Sequence, residues 1–340
     1  MDNFNFFRVL EKDNKELIHS AFISYLFSCN DLFRDKLLNV SNVEFSKPQL
    51  ERSYNIRKRL KGRIDIEIIS TDEKHIILIE NKFKSFPDKI QLDNYNKMFK
   101  KTYANDITIY KYIFCFDKKT IKFETDWKIL DYNDLLEFIG ANFKINDASD
   151  QSVFIKHYYS FLGDYIKDYK LYMSDSKNLF TENITNDNAK KFWLKLVYSN
   201  LHLRFINHFN DEVTISVSPG TSTIPFLDIF PKKWKINKQE LLIQLQGNDL
   251  KLYTYSNDKI LIDKVINLAK KSIRGAKFDT KKVINRDAKS SFILKTKISD
   301  NINMNKELDI DSLFLILKDF YDYIDLEIIN NSELNPAFTQ

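Results

Sequence analysis

The chain is poor in the residues that interrupt or staple a fold. Six glycines and six prolines among 340 residues exclude collagen-like and Pro/Gly-rich disordered classes. Two cysteines, Cys29 and Cys115, cannot build a disulfide framework. Both lie in apolar surroundings, are expected to be buried thiols, and point to a reducing compartment. No apolar run approaches the ~20 residues that span a bilayer. The N-terminus, MDNFNFFRVLEKDNKE, has no basic segment followed by an apolar stretch. Neither a membrane contact nor a signal peptide is therefore expected, and the expected location is cytoplasmic. A glycine-rich phosphate loop is missing too, which leaves a small-molecule transferase without support. Charge of one sign is also lacking: 52 Lys+Arg against 47 Asp+Glu give a net charge of +5. That balance permits nucleic-acid contact without demanding it.

What is present is ordinary globular material, 43% hydrophobic and 29% charged, with 28 Phe and 17 Tyr as bulky core residues. The length fits two domains. The most informative stretch is Lys61–Tyr95, KGRIDIEIISTDEKHIILIENKFKSFPDKIQLDNY. Alternation predicts a strand with Ile64, Ile66 and Ile68 on one face and Asp65 and Glu67 on the other. A second strand, His75 to Phe83, places Ile77 and Ile79 opposite Leu78, Glu80 and Lys82. Pairing Ser70 with His75 across the polar turn sets Asp65 opposite Glu80 and Arg63 opposite Lys82. Directly opposed side chains share a face with Cβ atoms about 4.5–5.5 Å apart. Two carboxylates so placed repel unless a cation lies between them or one takes a proton. A hard divalent ion with oxygen ligands relieves that repulsion.

These residues resemble the signature of the PD-(D/E)XK nuclease superfamily: an acid ending one strand, then (D/E)-x-K on the next, here Asp65 and Glu80-Asn81-Lys82. The proline of the name is replaced by Ile64. Gln91-Leu92-Asp93-Asn94-Tyr95 is similar to the Q-x-x-x-Y pattern of one branch, and Glu16 stands where members carry an upstream helical glutamate. The resemblance covers roughly Asn14 to Phe116. It implies an α/β fold with a restriction-endonuclease-like αβββαβ core and a mixed central sheet. It also implies a Mg²⁺ cofactor, with Mn²⁺ able to substitute. In that scheme Asp65 and Glu80 are metal ligands, with the Asn81 carbonyl a third. Lys82 orients the water, offsets charge or acts as the base. Gln91 holds Lys82 or the water, and Glu16 is an outer ligand or water holder. The bland alternatives are a first-turn acid for Glu16, an exposed polar residue for Gln91 and a surface ion-pair ladder for Asp65, Glu80 and Lys82.

Around this stretch, a helix from Asp13 or Asn14 to Ser28 carries Leu17, Ile18, Ala21, Phe22, Tyr25 and Leu26 as its apolar face, with His19 a packed histidine. A helix at Leu32–Leu38 and a strand at Gln49–Ile56 follow. The cations Arg57, Lys58, Arg59, Lys61 and Arg63 precede the acidic site. They read either as a solvated turn or as nucleic-acid-binding residues drawing a phosphate backbone inward. Gly62 is expected to supply a bend. A helix begins at Pro87-Asp88, and Ile107–Phe116 is a strand. The order helix, strand, strand, strand, helix, strand agrees with the implied core.

The expected domains are residues 1–145, nuclease-like; 146–210, a helical connector interrupted by a polar link at Ser174–Asn188; and 211–340, a C-terminal α+β domain. Strands are expected there at 213–217, 224–230, 241–246, 250–255 and 291–298, with helices at 259–274 and 308–324. Its basic residues Lys264, Lys270, Lys271, Arg274, Lys277, Lys281, Lys282, Arg286 and Lys289 fit an ordinary solvated surface first; the sharper reading is a DNA-contacting or target-selecting surface, and self-association is the third. The resemblance implies a Mg²⁺-dependent DNA endonuclease of bacterial restriction or phage defence, acting on double-stranded DNA as a monomer or a homodimer. The alternative is a catalytically inactive nuclease-fold module that binds nucleic acid or assembles a complex.

Overall fold

The computed structural model describes residues 5–9, 16–57, 60–83, 87, 89–118, 121, 123–218, 224–236, 239–254, 259–271, 279–280 and 291–330. Contacts divide the chain into two compact units, Met1–Tyr169 and Lys170–Gln340. The helical stretch 146–210 that composition set apart is shared between them.

The first unit runs α1 (Phe6–Val9), α2 (Glu16–Cys29), α3 (Asp31–Leu38), β1 (Gln49–Arg57), β2 (Leu60–Ile69), β3 (His75–Asn81), α4 (Lys89–Thr102), β4 (Thr108–Cys115), β5 (Lys128–Asp131), α5 (Tyr132–Asn142) and α6 (Asp150–Ser174). The sheet order is β1-β2-β3-β4-β5. The β1/β2 and β2/β3 pairs are antiparallel, and β3/β4 and β4/β5 are parallel. This is the mixed αβββαβ core that the residue pattern implied. Both faces of the central strands are covered, which is why β3 reads as a nearly unbroken apolar run. On one face α4 buries Leu92, Tyr95, Met98 and Phe99 against Ile64, Ile76 and Leu78. On the other, α2 packs across β1, β2 and β3.

The helix boundaries follow local chemistry. In α3, Asn30 caps the first turn by accepting from the Phe33 N–H at 2.9 Å. In α5, Asp131 and Asp134 form a reciprocal capping box, which starts the helix at Tyr132. The cap expected at Asp13 or Asn14 lies outside the described residues. The buried face of α2 is also rotated from the expected one. Leu17 is exposed, whereas His19 and Ser20 are buried with Phe22, Ile23, Leu26 and Phe27. Cys115 is buried and Cys29 only partly so.

Three further expectations are corrected. The β2/β3 register is the predicted one, with Ile66 opposite Ile79 and Ile69 opposite Ile76, but the ladder stops at Ile66. Arg63 therefore does not face Lys82; it pairs with Ser53 of β1. Second, Ile64 does not share a face with Ile66 and Ile68. Gly62 and Ile64 face α4, and so does Glu67, which lies opposite Leu78. The pleat thus reverses at Asp65. At the same place the Glu51/Asp65 pair is missing from the β1/β2 ladder, although the register is the same on either side, and Glu51 takes a left-handed φ of 52°, the mark of a local irregularity. Third, Gly62 is needed for space: a Cβ there would lie 2.9 Å from Met98 Sδ and Cε and 3.1 Å from the Tyr95 ring.

The second unit contains α7 (Lys177–Thr181), α8 (Asn188–Phe209), β6 (Val213–Ser218), β7 (Phe226–Pro231), β8 (Lys235–Ile236), β9 (Gln239–Gln246), β10 (Asp249–Thr254), α9 (Lys259–Lys271), β11 (Asp279–Thr280), β12 (Ser291–Lys297) and α10 (Ile310–Tyr323). Helix α7 falls inside the expected polar link, because Leu179 and Phe180 are buried. The antiparallel sheet has the order β11-β12-β10-β9-β7-β6. The β9/β10 hairpin closes through Gly247, whose φ of +55° suits a primed two-residue turn. One sheet face buries Leu227, Ile229, Ile243, Leu245, Leu250 and Leu252, while Asp228, Gln244, Lys251 and Lys295 stand opposite one another along the other. Lys264, Lys270 and Lys271 are exposed on α9; Arg274, Lys277, Lys281, Lys282, Arg286 and Lys289 lie outside the described residues.

The close approach at Gly62 makes a graded prediction. Gly62→Ala is expected to be tolerated, since the mobile end of Met98 can move aside. Gly62→Val is expected to cost about 1–3 kcal/mol through overpacking against Tyr95, measured by urea denaturation.

Candidate active site

The break in β2 turns the Asp65 carboxylate into the plane of the sheet. Its Oδ2 accepts from the main-chain N–H of Asn81 at 2.7 Å, taking the place of a ladder carbonyl. The next residue, Lys82, donates its N–H to Phe114 of β4 at 2.8 Å. Main-chain groups alternate along a strand, so Asn81 directs both its N–H and its C=O toward Asp65. Glu80, one step back on β3, is 4% exposed. Its Oε1 accepts from Lys82 Nζ at 2.8 Å, from Gln91 Nε2 at 3.1 Å and from the Tyr95 hydroxyl at 3.4 Å. Its Oε2 is buried and has no hydrogen-bond partner. Gln91 lies in the first turn of α4 and also donates to the Tyr95 hydroxyl at 3.1 Å, and Tyr95 in turn donates to the Arg63 carbonyl at 2.8 Å.

The electrostatics reflect crowding of negative charge. Burial, and then the Glu80 charge, push the Asp65 carboxyl up to about 7; the Asn81 N–H and Lys82 oppose the shift, and Glu16 adds to it. Burial also raises Glu80, against the pull of Lys82. Burial by itself would lower Lys82, but the Glu80 carboxylate in contact with it outweighs that and holds the amine as an ammonium. Glu16, in the first turn of α2, acts on all three through its charge.

Residues 4–160 match the family model of the PD-(D/E)XK nuclease superfamily. This part of the chain is similar to that superfamily over just under half of the chain's length. No curated protein and no solved structure matches the chain. PD-(D/E)XK nucleases are typically metal-dependent, and the donor set here fits a hard cation. Among the described residues no three His, Cys, Asp or Glu side chains are grouped to hold a metal ion. A hard divalent ion that keeps several waters needs only one or two carboxylates. Asp65, the free Oε2 of Glu80 and the Asn81 carbonyl supply that share, and the buried unpartnered oxygen is the feature such an ion would satisfy.

The fold of the first unit gathers Asp65, Glu80, Asn81, Lys82, Gln91 and Glu16 in one corner. It does not bring in Arg63, whose side chain is 58% exposed and paired with Glu51 at 2.9 Å. Arg59 and the side chains of Arg57 and Lys61 lie outside the described residues. Gln91 holds Glu80 by its amide, where the sequence suggested Lys82 or water. His19 is packed: it stacks on Phe83 at 3.4 Å and bonds the Tyr158 hydroxyl through Nδ1 at 3.1 Å. Two supporting residues, Ser20 and Tyr132, escaped sequence reasoning. Tyr95 was legible only as part of Q-x-x-x-Y. Ser20, one turn after Glu16, bonds Asn81 at 3.0 Å, and Tyr132 donates to Asn81 Oδ1; no local pattern announces either.

The raised Asp65 carboxyl has a consequence for the metal-free protein. Its folded value lies above the unfolded 3.8, so the stability it contributes is complete below about pH 4 and lost as pH rises through about 7. At pH 8 in EDTA, Asp65→Asn is therefore expected to melt several degrees above wild type, with the difference vanishing near pH 4. Thermal unfolding at the two pH values checks this; equal midpoints at pH 8 would contradict it.

Proposed function

We propose that this protein is a Mg²⁺-dependent endonuclease that hydrolyses phosphodiester bonds in double-stranded DNA, in a bacterial restriction or phage-defence setting. The observation that carries the proposal is the buried, unpartnered Oε2 of Glu80 beside a second, half-buried carboxylate and an ammonium. Such a corner is costly for a fold and suited to a cation. Oxygen-only donors favour Mg²⁺, and Mn²⁺ accepts the same ligands.

When bound, the ion supplies an activated water and charge relief on the phosphoryl group. The chain supplies the rest. Asp65 and Glu80 hold the ion, with the Asn81 carbonyl beside them. Gln91 and Tyr95 keep Glu80 Oε1 occupied, so that Oε2 is the oxygen presented. Lys82, held as an ammonium in the metal-free protein, offsets the negative charge that develops on the phosphate. Glu16 sits at the margin as an outer ligand or water holder. The cations of the Arg57–Arg63 run, which precede the site in sequence, draw the phosphate backbone toward it. Two cysteines without a disulfide suit a reducing, cytoplasmic setting.

Purified protein is expected to cut plasmid DNA with Mg²⁺ or Mn²⁺ and not with EDTA. Asp65→Ala and Lys82→Ala are each expected to lower the rate by at least about 100-fold, read on agarose gels. Preferential cutting of RNA would reassign the substrate. Binding of nucleic acid with no cutting under any of these conditions would assign the chain as an inactive nuclease-fold module.

A further inference from the structure

Asn81 lies between Glu80 and Lys82 in sequence, but its side chain leaves the opposite face of the sheet, toward α2 and α5. It is 1% exposed. Its Nδ2 donates to Ser20 Oγ at 3.0 Å and to the main-chain carbonyl of Glu16 at 3.3 Å. Its Oδ1 accepts from the Tyr132 hydroxyl. Ser20 Oγ itself donates to the Glu16 carbonyl at 3.0 Å. One carboxamide therefore ties the end of β3 to the first turn of α2 and to the first residue of α5. The main-chain N–H of the same residue fixes Asp65.

We propose that Tyr132 and Ser20 are positioning residues for the cation site: through the Asn81 carboxamide they fix the peptide that aims the Asp65 carboxylate, the Asn81 carbonyl and the Glu16 turn at one point. This rests on the reading of Asp65 and Glu80 as cation ligands. A carboxamide suits the position because it both donates and accepts. An aspartate there could not donate to the Glu16 carbonyl and would bury another negative charge beside Asp65 and Glu80. A ligand held by one hydrogen bond to a main-chain N–H is only as well aimed as that peptide, and the peptide is held by its own side chain. The Tyr132 ring has a separate role in packing, with Phe83 and Phe116 at 5.2 Å between centroids. Tyr132→Phe keeps that packing and removes the hydroxyl alone.

The test is Mn²⁺ binding by the full chain, followed by calorimetry and by the paramagnetic resonance of free Mn²⁺, for wild type, Asp65→Ala, Tyr132→Phe, Ser20→Ala, Asn81→Ala and the Tyr132→Phe/Asn81→Ala pair. Loss of an outer partner of a metal ligand typically weakens binding about 10–100-fold. Tyr132→Phe is expected to fall in that range and Ser20→Ala to weaken binding less, both with thermal midpoints in EDTA close to wild type. The double variant is expected to bind no more weakly than Asn81→Ala, since Tyr132 acts through that amide. Wild-type affinity in Tyr132→Phe would overturn the proposal. So would multiplying effects in the double variant, or losses that merely track falling thermal midpoints. Equal Mn²⁺ binding by wild type and Asp65→Ala would instead overturn the cation site itself, and the brace with it.

Discussion

Two carboxylates, Asp65 and Glu80, share a buried corner with one ammonium, and the rest of the first unit is arranged around that imbalance. Lys82 pairs with Glu80 at 2.8 Å, yet Asp65 remains pushed toward its neutral form by burial and by Glu80. Like charges at close range in a low dielectric cannot both ionise without compensation. The fold provides that compensation in pieces: the Asn81 N–H for Asp65, and Lys82, Gln91 and Tyr95 for one oxygen of Glu80. The other oxygen is left over. A stable fold with no chemistry to perform would have little reason to retain it.

The same corner shows how the sheet makes room. An uninterrupted ladder would carry main-chain hydrogen bonds through Asp65 and bring Arg63 up to Lys82. The pleat reverses at Asp65 instead, Glu51 opposite it takes a left-handed conformation, and the β2/β3 pairing ends at Ile66. The Asp65 carboxylate then serves as the hydrogen-bond acceptor that the strand no longer offers. Irregularities of this kind often re-aim a side chain beside a site. Here one sends Arg63 outward to Glu51 and turns Asp65 toward β3.

Support for the corner comes from three helices that are distant in sequence. The first two turns of α4 supply Gln91 and Tyr95, the first two turns of α2 supply Glu16 and Ser20, and the capping box of α5 sets Tyr132 in place. Helix starts recur because side chains carried on a rigid element are more precisely aimed than side chains on a loop. The buried polar residues of α2, His19 and Ser20, belong to this scheme. They displace Leu17 from the face that an apolar pattern alone would assign to the core.

The sequence by itself determined the order of elements, the β2/β3 register and the proximity of Asp65, Glu80, Lys82 and Gln91. Each of these depends on near neighbours: strand alternation, a four-residue turn that counts Asp65 onto Glu80, and a four-residue helical repeat that joins Gln91 to Tyr95. The tertiary structure decided where each group points and what holds it there. The reversal at Asp65 coincides with a left-handed residue, Glu51, on the neighbouring strand, so alternation within β2 could not foretell it. The link from Tyr132 to Asn81 spans 51 residues, and a hydrogen bond between segments so far apart leaves no periodic trace in either. Gly62 joins the two levels: its smallness is plain in the sequence, but its cause, the approach of Met98 and Tyr95 from α4, exists only once the helix has packed on the sheet.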